Sequence, residues 1–152
     1  MESKANFADY GKSFQENLVQ LIYEDRPFAD QITEVLDLNF LELEYLRVFS
    51  RKIVNYRHKY GTHPSANAVA SILNTEMDGV DEVIKHQVKE YFTKIVSRDI
   101  EGDADYVKQT SLDFCRKQNL KEAMMKSVGL LQSCSFDEIS KIINDSLILG
   151  SE

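Results

Sequence analysis

Apolar residues recur along this chain at helical spacing, and nowhere do they alternate for long enough to make a strand. Phe14, Leu18, Leu21 and Ile22 repeat at i, i+4, i+7 and i+8, which predicts an opening helix. Arg26-Pro27 interrupts it, because proline lacks an amide hydrogen and restricts the residue before it. A short helical turn is expected over 28–36. Leu41, Tyr45, Val48, Phe49, Ile53 and Tyr56 then mark a longer helix. The stretch Tyr60-Gly61-Thr62-His63-Pro64-Ser65 ends that helix and starts another. Gly61 suits a left-handed C-terminal position, and Ser65 suits the cap of a helix carrying Val69, Ile72 and Leu73. After a loop at Met77-Asp78-Gly79 comes the broadest stripe: Val80, Val83, Ile84, Val88, Tyr91, Phe92, Ile95 and Val96.

The last third reads differently. One long helix is predicted from Asp105 to about Gln132. In it Val107, Phe114, Lys121 and Val128 fall seven apart, a seam like that of a coiled coil with one polar interruption. A brief break at Gln132-Ser133-Cys134 leads into Ser135-Phe136-Asp137-Glu138, which has the S-x-x-E form of a capping box. Cys134 and Ile139 stand where a hydrophobic staple places its two residues. Ile139, Ile142, Ile143 and Leu147 continue the stripe, and Gly150 suits its end. Two helices with so short a break fold back as an antiparallel hairpin. The expected fold is therefore all-α, a compact helical globule followed by a long antiparallel helical hairpin. Residues 1–12 are read as a flexible N-terminus, 13–102 as the helical head and 103–150 as the hairpin.

Composition narrows the function. In 152 residues with 43% hydrophobic content, six glycines and two prolines, a single core built of long helices is favoured. The net charge of −7 gives no general attraction to nucleic acid or to anionic membranes. No apolar run approaches membrane-spanning length and no signal peptide opens the chain, so a cytoplasmic location is expected. Cys115 and Cys134 have no ligand-like spacing and read as isolated thiols of a reducing compartment.

Candidate chemistry is sparse. Gly11-Lys12-Ser13 ends like a phosphate-binding loop, but the glycine that the pattern needs five residues earlier is Asn6, and no buried strand precedes it. Ser13-Phe14-Gln15-Glu16 reads instead as a capping box. His58 and His63 flank the turn at Gly61 with no cysteine nearby, short of the three or four ligands of a zinc site. The carboxylates Glu42, Glu44, Asp78, Asp81 and Glu82 and the run from Asp99 to Asp105 read as solvated faces and helix-start charges. Arg47, Arg51, Lys52, Arg57, His58 and Lys59 form a basic cluster diluted by acidic neighbours. No catalytic, cofactor or metal residue is assigned.

The order of features resembles the N-terminal domain of replicative hexameric DNA helicases of the DnaB type, most closely their divergent phage-like members. Phe14 to Asp25, with the segment through Phe28 and Ile32, is similar to the opening helix and the acidic turn after it. Phe40 to Tyr60 followed by Gly61-Thr62-His63-Pro64-Ser65 is similar to the long helix and G-x-x-P-[ST] turn. Asp105-Tyr106-Val107 through Leu149 is similar to the closing hairpin. The resemblance covers about residues 13–150. It implies a non-catalytic collar domain in which hairpins pair between subunits, giving dimers and up to a hexamer in the full-length protein, and which docks primase and, in some systems, a loader. It implies no cofactor for this chain. ATP and magnesium belong to a motor domain expected beyond Glu152, DNA is met only indirectly, and a phage-encoded protein would act in the host cytoplasm. The alternative reading is a stand-alone relative, the helicase-binding domain of a primase, which the resemblance implies would share this shape. A small helix-turn-helix regulator reading DNA through Ser65 to Leu73 is disfavoured by the charge and by the near absence of cations there.

An apolar stripe on a hairpin exceeds what two helices bury between themselves. The self-association residues expected from it are Phe114, Met124, Val128, Leu131, Ile139, Ile142 and Leu147, joined with two-fold complementarity. Each buried side chain of this kind contributes about 1.5–3 kcal/mol, so Ile142→Asp is expected to split a dimer.

Overall fold

The computed structural model describes residues 5–100, 102–133 and 135–150. Among these, the chain forms seven α-helices and two short 3-10 turns, with no strand. The helices are α1 (Lys12–Glu24), α2 (Arg26–Ile32), α3 (Glu44–Tyr60), α4 (Ala66–Thr75), α5 (Glu82–Val96), α6 (Ala104–Leu131) and α7 (Phe136–Ile148). The 3-10 turns are Ala8–Tyr10 and Leu38–Phe40.

α1 is the axis of the head. It packs on α2, α3 and α6, while α3 packs on α5 and α4 rests on both. The predicted stripe Phe14, Leu18, Leu21 and Ile22 is buried, and so is Val19. With neighbours on three sides, α1 also buries the polar Gln15, Glu16 and Gln20. Each has partners, as a buried polar group must. The Gln15 Oε1 accepts from the Glu42 amide at 2.8 Å, and its Nε2 donates to the carbonyls of Gly11 at 3.3 Å and Phe7 at 3.4 Å. The Gln20 Nε2 donates to the Arg98 carbonyl and to Glu24 Oε1, both at 2.9 Å, and Arg98 Nε donates to Gln20 Oε1 at 2.9 Å. Two glutamines thus stitch α1 to the segments that precede α3 and follow α5.

Several local expectations hold. Gly61 ends α3 at φ +68°, a backbone conformation that glycine adopts without penalty. The Ser65 hydroxyl accepts from the Ala68 amide at 3.2 Å and caps α4. Others are corrected. The Ser13 capping box does not form. Gly11 occupies the N-cap of α1, so Ser13 already lies within the first turn, and Glu16 turns inward to Tyr45 and Lys94. α2 starts at Arg26 rather than 28 and stops at Ile32. Asp25 caps it by accepting from the Phe28 amide at 3.0 Å, and Pro27 sits in its first turn, where no amide hydrogen is needed. The Ser135 box is not made either, since the Ser135 hydroxyl pairs with that of Ser133 at 2.8 Å. The staple partner Cys134 lies outside the described residues.

The N-terminal segment is also corrected. Phe7, inside the stretch read as flexible, is fully buried. Its amide donates to the Phe40 carbonyl at 2.8 Å. Its ring lies 4.5 Å from that of Phe114 and about 6 Å from those of Phe14 and Phe40. Residues 5–12 therefore close one end of the core. Nor does a boundary at 103 separate two packed units, because Val107, Leu112 and Cys115 of α6 are core residues of the head.

A candidate interaction surface on the hairpin

α6 runs 28 residues and changes surroundings on the way. Its first half lies on α1 and α2. Its second half leaves the head and meets α7, the most extensive helix pairing in the chain. The two run antiparallel: the Ser135 amide lies against the Leu130 carbonyl at the tip, and Gly150 returns to Arg116. On α6 the side toward α7 carries small residues, with Ala123 and Ser127 buried. On α7, Ile139, Ile142, Ile143 and Ser146 are half-buried at i, i+3, i+4 and i+7, which makes this the side laid on α6.

Apolar surface remains uncovered. Met124, Met125, Val128, Leu131, Phe136, Leu147 and Ile148 are each more than half exposed, Val128 and Phe136 at 66%. Successive helical residues turn by about 100°. On that wheel Met124, Val128 and Leu131 lie roughly a quarter-turn round from the inner side of α6, and Phe136 and Leu147 lie a similar turn round from that of α7. Because the helices are antiparallel, the two sets face the same way. The hairpin thus presents one continuous apolar face, with Leu131 level with Phe136 and Met124 level with Ile143.

The seven residues expected to carry association are therefore not equivalent. Met124, Val128, Leu131 and Leu147 lie on the exposed face. Ile139 and Ile142 are half-buried against α6. Phe114 is a correction: its ring packs in the head, 4.5 Å from Phe7 and 5.3 Å from Phe40. The seven-residue seam explains why. Val107 is buried, Phe114 half-buried, Lys121 and Val128 exposed, so one line of residues passes from core to solvent as α6 outruns the head. Phe136, Met125 and Ile148, also more than half exposed, are not among the seven. Phe136 stands inside the capping-box pattern, and Met125 falls off every stripe.

Several of the polar candidates are committed within the chain. His63 Nε2 contacts the Tyr23 carbonyl, and its Nδ1 lies 2.8 Å from Arg57 Nη1, while Arg57 pairs with Asp30. Both ring nitrogens are in use, which ties the turn before α4 to α1 and α3 and, through Arg57, to α2. In the basic cluster, Arg47 donates to the carbonyls of Leu41 at 2.7 Å and Glu42 at 2.8 Å, and Lys52 donates to the Glu76 carbonyl at 2.5 Å. Arg51, His58 and Lys59 remain on the surface. Asp81 caps α5, accepting from the Val83 amide at 3.2 Å. Cys115 is fully buried, and burial, helped by the charge of Asp37, pushes its thiol up to about 12, which suits a packing residue rather than a nucleophile.

A groove of about 710 Å³ runs between α2 and α6, lined by Asp25, Phe28, Lys108, Leu112 and Arg116 among others. Lys108 Nζ and Asp25 Oδ2 pair across it at 2.5 Å. Among the described residues no three histidine, cysteine or carboxylate side chains converge to hold a metal ion, and no helix is long and apolar enough to cross a membrane. No protein-family model matches the chain, and neither do any curated protein or solved structure.

Proposed function

We propose that this chain is an assembly and docking module, of the kind found at the N-terminus of DnaB-type replicative helicases, and that its hairpin face pairs with the same face of a second copy. The observation that carries the reading is the uncovered apolar face of Met124, Val128, Leu131, Phe136 and Leu147. Exposed apolar surface of this extent on a helical pair marks an interaction site. A two-fold arrangement uses one patch twice. The order of elements, from the opening helix through the Gly61–Ser65 turn to the closing hairpin, supports the helicase context. Docking of primase or a loader and a hexameric assembly of the full-length protein belong to the same proposal. The module itself works without cofactor, and ATP and magnesium serve the motor domain.

The test is the mass in solution by light scattering across a concentration series. A dimer or hexamer is expected. Val128→Asp should shift it to monomer with helix content unchanged, because Val128 is 66% exposed and lies outside the core. Ile142→Asp is the poorer probe, since Ile142 also holds α7 on α6. A wild-type monomer at high concentration would defeat the self-association reading and favour the helicase-binding domain of a primase.

A further inference from the structure

α7 is laid along α6 through half-buried side chains, and none of its residues from Phe136 to Ile148 is fully buried. Just beyond it, Gly150 is buried, and three side chains close on its peptide groups. The Gly150 amide donates to Glu34 Oε2 at 3.0 Å. Its carbonyl accepts from Gln31 Nε2 at 3.2 Å and from Arg116 Nη2. Gln31 lies in α2, Glu34 in the turn after it and Arg116 midway along α6. The seat favours glycine. Its φ is +73°, and a Cβ there would come within 3.0 Å of Val35 Cγ1 and 3.4 Å of Arg116 Nε.

We propose that this seat is a backbone latch: Gln31, Glu34 and Arg116 hold the peptide of Gly150 against the head and so keep α7 closed on α6. Unlatched, α7 opens as a local unit while α1 to α5 stay folded, the behaviour of a segment with few buried contacts. The apolar face draws on both helices, so the latch decides whether that face is assembled. This last consequence rests on the association reading; the latch does not.

Hydrogen exchange on the full chain tests it. Gln31→Ala/Glu34→Ala removes two latch groups without touching the core, since Gln31 is half-buried and Glu34 exposed. Amides of α7 are expected to exchange at least roughly tenfold faster, the effect of losing two hydrogen bonds of modest net stabilisation, with α1, α3 and α5 unchanged. Gly150→Ala should reproduce this by steric exclusion. Glu34→Gln keeps an acceptor oxygen and should retain most of the protection. Unchanged α7 exchange in both the double variant and Gly150→Ala overturns the latch. Equal acceleration throughout the head also overturns it, because the contacts would then serve general stability. A wild-type monomer in light scattering would sink the association reading and leave these exchange results standing.

Discussion

Phe7→Ala is expected to destabilise the fold by about 3–5 kcal/mol, the range for truncating a buried aromatic. For a chain of this size that lowers Tm by roughly 10 °C or more. Phe7 is fully buried, and its ring fills the space between Phe14 of α1, Phe40 of the second 3-10 turn and Phe114 of α6. Removing it opens a cavity where three separate elements meet. Aromatic pairs at such distances add to the loss beyond buried area alone. Deleting residues 1–10 should cost at least as much, since the amide of Phe7 then no longer satisfies the Phe40 carbonyl. Thermal unfolding followed by circular dichroism measures both. A Phe7→Ala protein within about 1 kcal/mol of wild type would mean that the N-terminal segment does not close the core.

The second large effect depends on pH and centres on Glu16. Burial works to raise its carboxyl, but the hydrogen bonds from Lys94 and Tyr45, with the charges of Lys94 and Lys12, outweigh it and hold the group below its ordinary 4.5. The Lys94 and Tyr45 contacts are both 2.8 Å. Asp25 is treated alike: burial raises it, while Lys108 and the Phe28 amide lower it more, below 3.8. A carboxyl whose folded value is depressed stabilises the fold above its unfolded value, and that contribution fades as pH falls through the folded one. Stability should therefore be flat from neutral pH down to about 4.5 as far as these groups act, then decline as Glu16 and Asp25 take up protons. Glu16→Gln removes the charge but leaves an oxygen for the Tyr45 hydroxyl. It should cost about 1–3 kcal/mol at pH 7, and the gap to wild type should narrow as pH falls below 4.5 and the wild-type Glu16 takes up its proton. A gap of constant size across that range would show that Glu16 acts through packing alone.

These two sites also mark where sequence reading stops. Phe7 stands among Asn6, Ala8 and Asp9 with no periodic companion, so nothing local distinguishes a core residue from an exposed one. Glu16 completes an S-x-x-E pattern, and the local rule assigned it to a helix cap. The competing claim came from Tyr45 and Lys94, distant in sequence and adjacent in space. Gln15 and Gln20 show the same limit. Polar residues on a helix are read as its wet face, yet α1 has no wet face along most of its length, because α2, α3 and α6 surround it.

What the sequence alone determined is the class of fold and the helices with their punctuation. Apolar spacing of three and four residues, Pro27, Gly61 and Ser65 act within one or two turns of backbone, and local interactions suffice to set them. Which neighbour covers each apolar stripe is a question of three-dimensional placement. Phe114 and Val128 occupy the same position of one heptad seam, yet the first is packed against Phe7 and the second lies open. Only the tertiary structure decided between them, because the head ends partway along α6, and the burial of a side chain depends on what stands opposite it rather than on its place in the pattern.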